Sequence, residues 1–208
     1  MGLRTSMMVC VALLSVTVTV TLAEAAGPQF VFDQPQAAPI TGLTIDDRRL
    51  EPSKKGGSPG LKYTPFRLRT TPMNYLEDAA FSPSRVSLFE SALAAVYTVA
   101  PQQVVLKTFD VVDVYPMRMG SEVLTTDRME ELLPAAAALL GPQPENSDFI
   151  VCLIEAEVDG RSISAAALAP YRVKPTAFRV YKDPSVVAAV KQAVSDAVRG
   201  WVEQAKGP

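Results

Sequence analysis

Apolar and polar residues alternate over residues 148–172 (DFIVCLIEAEVDGRSISAAALAPYR) in the manner of two strands joined by a tight turn. The first predicted strand is Phe149–Val158. The Asp159-Gly160 dipeptide that follows tolerates the positive φ angles of a type I′ turn. In that register the apolar positions meet on one face, with Val158 opposite Arg161, Ala156 opposite Ile163 and Ile154 opposite Ala165. The pattern therefore predicts a β-hairpin in the middle of a sheet.

Three further segments have the pattern of strands. Residues 103–115 (QVVLKTFDVVDVY) are nearly apolar on both faces, which is typical of a central strand. Residues 61–71 (LKYTPFRLRTT) alternate instead, as in a half-exposed strand, and Pro65 places this strand at or near a sheet edge because it cannot donate a ladder hydrogen bond. A short strand is also predicted in residues 176–182, just before the last helix.

Helical periodicity appears in three places. In the first helix Ser82 is the predicted N-cap, Pro83 the first helical residue and Pro101 the stop. Its apolar stripe comprises Val86, Phe89, Leu93, Val96 and Tyr97. Residues 125–142 form a second helical segment, which Pro134 must kink or split.

The third helix follows Asp183 as cap and Pro184 as first helical residue. Its long apolar stripe must pack on another element, and it comprises Val186, Val190, Ala193, Val194, Ala197, Val198 and Trp201.

The order of elements predicts an α/β (α+β) sandwich. We expect one mixed or mostly antiparallel sheet of four or five strands, with about three helices packed on one face.

Residues 1–25 have the three-part pattern of a secretory signal peptide. Arg4 precedes an apolar run from Met7 to Leu22, and the small residues Ala23 and Ala25 favour cleavage after Ala25. The alternative is an uncleaved membrane anchor, for which the run is a little short. Cys10 does not fit a lipid-attachment site, because it precedes the apolar region.

Residues 26–60 contain scattered Pro and Gly without a sustained period, which predicts a flexible arm ahead of a single domain at residues 61–206. The simplest interpretation of the arm is a spacer. It contains two apolar islands, Phe30-Val31-Phe32 and Ile40–Ile45, and each can dock as one extended strand on the domain or on a partner. Deletion of Gly27–Gly60 is accordingly expected to leave a folded domain of nearly unchanged stability.

The composition of the chain argues against several classes of function. The chain has 20 basic and 22 acidic residues, a net charge of −2 and no histidine. The charges are interspersed and no basic stripe is present, so nucleic acid is not an expected partner. The absence of histidine removes the commonest general base and metal ligand. No phosphate loop, nucleophile elbow or metal-binding motif is present, and we predict no catalytic residue, cofactor or metal site.

The strands contain residues that are capable of chemistry, but each also has a structural interpretation. Cys152 lies in the most apolar strand, where burial favours an inert thiol. The carboxylates of Glu155, Glu157 and Asp159 share one face and are expected to be its solvated side rather than a cation site. Asp110 and Asp113 point to opposite faces of a regular strand, so we expect hydrogen-bonded caps rather than a catalytic pair.

Four basic residues form a candidate patch for an anionic partner if the first and last predicted strands lie side by side. They are Arg67, Arg69, Arg179 and Lys182. Such a patch suits a lipid head group, a sugar phosphate or an acidic protein.

In its element order, and in following a signal peptide, the chain resembles small periplasmic accessory domains of Gram-negative envelopes. Examples are the auxiliary lipoproteins of lipid-transport systems and the N-terminal domain of the Tol translocation protein. The resemblance covers residues 62–205 and rests on element order without a shared motif. It implies an exported, non-catalytic binding or envelope-assembly protein, periplasmic in a Gram-negative source and otherwise secreted. The expected partner is an envelope protein or a lipid or glycan head group, and we expect no transmembrane span in the mature chain.

The sequence is also compatible with two other functions. A hydrolase would use carboxylates such as Glu155 or Asp113 as acid and base. A secreted surface or host-interaction protein would be recovered from the culture medium.

Overall fold

The computed structural model describes residues 29–33, 40–56, 73–114, 117–119, 122–124, 134–140, 148–172 and 183–207. In chain order the elements of these residues are β1 (Phe30–Val31), β2 (Ile45–Asp47), α1 (Glu51–Lys55), β3 (Met73–Tyr75), a 3-10 turn (Asp78–Ala80), β4 (Phe81–Ser82), α2 (Arg85–Ala94), β5 (Val104–Val114), β6 (Met117–Met119), β7 (Glu122–Leu124), α3 (Pro134–Leu140), β8 (Asp148–Val158), β9 (Arg161–Tyr171) and α4 (Pro184–Lys206). The predicted signal peptide and the predicted strands at 61–71 and 176–182 lie outside the described residues.

The main sheet is mixed and contains five strands. The central strand β5 pairs antiparallel with β8, which pairs antiparallel with β9. The other edge of β5 is shared by two short strands, β2 in parallel and β3 in antiparallel orientation. The α+β fold and the mixed sheet of four or five strands are thus confirmed, and so is the central place of the strand predicted at 103–115.

The hairpin of β8 and β9 has the predicted turn and register. Asp159 and Gly160 have φ angles of +49° and +80°, as a type I′ turn requires. The pairs Val158 with Arg161, Ala156 with Ile163 and Ile154 with Ala165 are all formed. The Asp159 carboxylate also accepts a hydrogen bond of 2.9 Å from the Gln103 amide, which ties the turn to the start of β5.

A register shift in the β5–β8 ladder at Lys107 allows residues on both sides of it to reach the same buried cluster. The register of β5 against β8 shifts between Leu106 and Thr108. An extra residue in a strand reverses the alternation of faces beyond it. Leu106 and Phe109, three positions apart, therefore both enter the same buried cluster.

Helices α2 and α4 pack on one face of the sheet. Asp183 caps α4 as predicted, accepting from the Ser185 amide at 2.8 Å. The stripe of α4 joins the core, where the Trp201 ring meets Phe89 of α2 edge-on at 4.9 Å. Helix α2 begins at Arg85 rather than Pro83, because the Ser84 hydroxyl is the cap and Ser82 belongs to β4.

The expectation that the helices pack on one face of the sheet is wrong. Helix α3 packs on the face opposite α2 and α4, where Ala136 is buried against Val112, Val114 and Phe149. Pro134 is its first residue, a position that does not need an amide donor. The part of the predicted helix before Pro134 lies outside the described residues.

The prediction of an arm without regular structure is wrong for residues 29–33 and 40–56. Strand β1 pairs in parallel with β4, and Phe30 is only 1% exposed. Strand β2 belongs to the main sheet, and α1 follows it directly. The predicted domain boundary at residue 61 therefore excludes elements that complete the fold. These strands have two or three residues, too few to produce a periodic pattern in the sequence.

A buried ionic cluster and an adjoining groove form the candidate functional site

The outer edge of β5 has a gap between β2 and β3. Strand β2 pairs with residues 104–106 of β5, and β3 pairs with residues 112–114. Within the gap the Phe109 carbonyl accepts a hydrogen bond from Arg85 Nη1 at 2.7 Å, with a longer contact of 3.4 Å to the Ser53 hydroxyl. Side chains from α2 and α1 thus serve this part of the edge in place of a strand.

Arg85 is the centre of the site and is fully buried. Its Nε donates to Asp78 Oδ1 at 2.6 Å, and its Nη2 donates to the Ser53 carbonyl. The guanidinium group also lies over the Phe81 ring, 5.0 Å from the ring centroid, a geometry that adds cation–π attraction. One side chain therefore links α2 to α1, β4, β5 and the 3-10 turn.

Arg49 forms the second half of the cluster. It contacts Asp47 through Nε at 2.9 Å and Nη2 at 3.0 Å, and Asp78 through Nη1 at 3.0 Å and Nη2 at 2.9 Å. Burial opposes ionisation of Asp47 and is the largest single effect, but the hydrogen bonds and charge of Arg49 together hold the pKa of Asp47 below its ordinary value. Asp78 bridges both arginines, and the Lys54 ammonium lies 3.6 Å from Asp47 Oδ2, so three cations face the carboxylates of Asp47 and Asp78.

Asp110 is a third carboxylate near this cluster, within the influence of the Arg85 and Arg49 charges. Its Oδ1 atom is buried and has no hydrogen-bond partner in the structure. Burial is the largest effect and raises the pKa of Asp110, while the Ser53 hydroxyl and the charges of Arg85 and Arg49 act in the opposite direction. Burial, together with the Asp110 charge, raises the pKa of Tyr75 to about 12.

A groove with a volume of about 190 Å³ opens next to the cluster, between β1, the end of α1 and β3. Gln29, Lys55, Tyr75 and Glu77 are among the residues that line it. Gly56, with φ +74°, lies at its wall, and a Cβ there would come within 3.1 Å of the Glu77 amide nitrogen. A side chain here would force Glu77 to shift and would strain the left-handed backbone, so glycine suits this close approach of two backbone segments.

The two sets of site residues predicted from the sequence have different outcomes. The anionic-partner patch stays a prediction, because its four residues, Arg67, Arg69, Arg179 and Lys182, lie outside the described residues.

The candidate docking segment, Phe30-Val31-Phe32, is docked on its own domain. The Phe30 and Phe32 rings pack on Phe81, with centroids 5.2 and 6.3 Å away. Of the two predicted alternatives, docking on the domain is therefore the one that the structure has, and the buried Phe30 and Phe32 rings are not a surface for a partner.

The three hairpin carboxylates are each engaged by a neighbouring strand or loop. Glu155 accepts from the Thr108 hydroxyl at 2.8 Å, Glu157 pairs with Lys107 at 2.7 Å, and Asp159 binds the Gln103 amide. Among the described residues no group of acidic or cysteine side chains is arranged to hold a metal ion.

The candidate carboxylate pairs are not brought together. Asp113 lies opposite Ile150 in the ladder, on the face of α2 and α4, and is hydrogen-bonded to the Tyr171 hydroxyl. Asp110 lies opposite Leu153, so it faces the other side, as does Glu155. Asp110 and Asp113 thus point apart as predicted. The expectation of hydrogen-bonded side chains holds for Asp113, whereas Asp110 has a hydrogen bond from the Ser53 hydroxyl but leaves its Oδ1 atom without a partner.

The Cys152 thiol is completely buried on β8, and burial strongly raises its pKa. We expect thiol reagents to label this residue only after unfolding, because both access and the thiolate are lacking in the folded state. A matched control is Ser162→Cys on the exposed part of β9, which should react within the normal time of the assay. Labelling of native Cys152 at the rate of the control would show that the thiol is reactive after all.

Sequence reasoning missed the arginines of the cluster. Arg49 stands in the run IDDRR, which has the pattern of a solvated charged segment. Arg85 offers a usable signal: it lies on the same helical stripe as Leu88, Phe89 and Ala92, all of which are buried. A lone charged residue on a buried stripe indicates an internal ion pair.

The comparisons with known proteins identify no relative. No protein family model, curated protein or solved structure matches the chain. Among the described residues, no helix is long and apolar enough to cross a membrane.

Proposed function

We propose that the protein is an exported, non-catalytic accessory protein of the cell envelope, which acts by binding a protein partner. The proposal combines the signal-peptide pattern of residues 1–25 with the open groove beside β3. The groove is the observation that supports a binding role, because apolar, charged and amide side chains line the same concave surface.

The size of the groove favours a protein partner over a free small molecule. Pockets that enclose whole ligands usually measure about 300 to 1,000 Å³, and this groove has about 190 Å³. It therefore accommodates one or two side chains of a partner segment. Glu77 and Lys55, whose ammonium is paired with Glu51 at 2.6 Å on the exposed side of α1, place opposite charges on the lining, and these charges would orient such a segment.

The described residues with catalytic potential support a binding role. Glu155, Glu157 and Asp159 are engaged by neighbouring groups, and Cys152 is enclosed in the sheet. Glu155 and Asp113, the residues considered for a hydrolase, face opposite sides of the sheet. A pair on opposite faces cannot act on one bond.

Site-specific photo-cross-linking in the native host tests the proposal. A photoreactive residue at Glu77, on the groove, should give a discrete adduct with an envelope protein. The same residue at Glu203, an exposed position of α4 remote from the groove, is the matched control and should give none. Equal adducts at both positions, or none at Glu77, would contradict a groove-mediated partner.

The same cells test export. The intact mass of the protein from the envelope fraction should correspond to a chain that begins at Ala26, because Ala23 and Ala25 meet the small-residue requirement for cleavage. A chain that retains Met1 would overturn the proposed processing. Recovery mainly from the culture medium would favour a secreted surface protein.

A further inference from the structure

Two charged side chains of the described residues line the groove, and they differ in how they are paired. Lys55 forms an ion pair of 2.6 Å with Glu51, one helical turn earlier on α1. Glu77 is exposed, and it forms no ion pair within the part of the chain that the structure describes. The charge that the groove offers to a partner is therefore that of Glu77.

The cations of the neighbouring cluster are engaged elsewhere. Arg49 binds Asp47 and Asp78, and Arg85 binds Asp78 and two main-chain carbonyls. The Lys54 ammonium lies 3.6 Å from Asp47 Oδ2 and also donates to the Asp47 carbonyl at 3.3 Å. These three cations have acceptors inside the cluster, so they leave the groove carboxylate to a partner.

The position of Glu77 is fixed by its main chain. The preceding Leu76 amide donates to the Val111 carbonyl of β5 at 2.9 Å, and the Glu77 carbonyl accepts from the Ala80 amide at 3.2 Å. Gly56 lies against Glu77 from the other side. A carboxylate whose backbone is held in this way needs little ordering when a partner binds.

The rest of the groove includes an apolar wall. Phe30 and Leu76 are buried in it, and Tyr75 and Ala80 are half-buried. Lysine and arginine side chains carry a charged head on a long apolar stem, and such a stem can lie along this wall while the head pairs with Glu77. An acidic side chain would meet the like charge of Glu77, and an apolar one would displace water from this carboxylate without replacing its hydrogen bonds.

We propose that the groove recognises its protein partner through one lysine or arginine side chain, whose stem packs on the apolar wall and whose charge pairs with Glu77. The aromatic side chain of Tyr75 in the same wall favours a cation further. This inference rests on the proposed function and adds to it the chemistry of the partner, which is a basic segment.

Short peptides of defined charge test this chemistry on the exported protein. The probe is acetyl-Ala-Lys-Ala amide, and matched peptides carry arginine, norleucine or glutamate in place of the lysine. Binding is followed by the backbone amide resonances of Leu76 and Glu77. The lysine and arginine peptides should bind about three- to fivefold more tightly than the norleucine peptide at low salt, the advantage expected of an exposed ion pair. In 1 M salt, where the Debye length is about 3 Å, most of this advantage should be lost.

Variants of Glu77 assign the preference to its carboxylate. Glu77→Gln removes the charge and keeps the shape, and this exposed substitution should leave the fold intact. It should bring the affinities of the lysine and norleucine peptides together, and Glu77→Lys should make the glutamate peptide the tightest. Glu203→Gln, at an exposed position of α4, is the matched control and should keep the lysine preference.

Four results would overturn the inference. The lysine and norleucine peptides could bind the unmodified protein equally, or the lysine preference could persist in Glu77→Gln. Tighter binding of the glutamate peptide to the unmodified protein would assign recognition to Lys55. The absence of any saturable shift at Leu76 and Glu77 would show that the groove does not take these side chains.

Photo-cross-linking from position 55 in the native host separates this inference from the proposed function, because it leaves Glu77 intact. The adduct with an envelope protein should fall by about threefold or more in Glu77→Lys and should be kept in Glu203→Lys. An adduct that forms equally in Glu77→Lys would leave the groove as a partner site but overturn the basic segment. Absence of an adduct from position 55 with Glu77 intact would contradict the proposed function itself.

Discussion

Replacement of Arg85 with methionine is expected to lower the free energy of unfolding by about 3 to 5 kcal/mol, the usual cost of removing one partner from a buried ion pair. The guanidinium group is fully buried and satisfies Asp78 and the carbonyls of Ser53 and Phe109. Methionine fills a similar volume but leaves the Ser53 carbonyl without this donor, while Asp78 keeps only Arg49 and the Phe109 carbonyl keeps only the longer Ser53 contact. A buried acceptor left unpaired costs about 1 to 3 kcal/mol. Urea unfolding followed by circular dichroism measures the loss.

The matched control is Arg48→Met. Arg48 is 65% exposed and pairs with Asp46 at 2.7 Å, so its removal should cost no more than about 1 kcal/mol. Arg85→Lys is the informative intermediate, because a lysine keeps the charge but cannot direct a planar fork at three acceptors. It should recover only part of the lost stability. A cost for Arg85→Met as small as that of the Arg48 control would mean that the cluster does not hold the sheet edge.

The parts of the fold that the sequence predicts well are those that local chemistry determines. The hairpin register follows from Asp159-Gly160 and from the alternation on either side of it. The start of α4 follows from Asp183 and Pro184, and its buried face follows from a stripe that repeats over several turns. In each case the residues that decide the structure are close together in the chain, so a short window contains the signal.

The N-terminal segment and the ionic cluster depend on contacts between residues distant in the chain. Strand β1 exists because Phe30 meets Phe81, and β2 exists because Ile45 meets Val104. Neither strand is long enough to show a period of its own. The pairing of Arg49 with Asp78, 29 residues later, has no local signature either. The Pro and Gly content of this segment therefore predicts an arm, although its few apolar residues complete the core.

Helix α3 shows a different limit of sequence reasoning. Its run PAAAALL is apolar on every side, so the pattern does not indicate which face of the sheet it covers. The answer comes from β5 and β8, whose second face is also apolar at Val112, Val114, Phe149 and Val151. Strands that are apolar on both faces require cover on both, and the sequence of residues 103–115 already contained this information.

The N-terminal segment provides the second large effect. Phe30→Ala should lower the free energy of unfolding by about 3 to 5 kcal/mol, the range for removing a buried phenylalanine ring. The ring is 1% exposed and packs on Phe81, which in turn lies beneath the Arg85 guanidinium. The loss is a large fraction of the roughly 5 to 15 kcal/mol that stabilises an ordinary domain. Val31, the next residue, is 46% exposed, so Val31→Ala should stay within about 0.5 kcal/mol.

Deletion of residues 27–60 extends the same test to the whole segment. The deletion removes β1, β2 and α1, and with them Arg49 and the Ser53 carbonyl that Arg85 binds. It also uncovers the edge of β5 at residues 104–106. We therefore expect the shortened protein to lose its cooperative thermal transition, measured by circular dichroism and calorimetry beside the full-length chain. The shortened protein could instead unfold cooperatively at nearly the original temperature, and Phe30→Ala could have only a small effect. These two results together would show that residues 27–60 are dispensable for the fold.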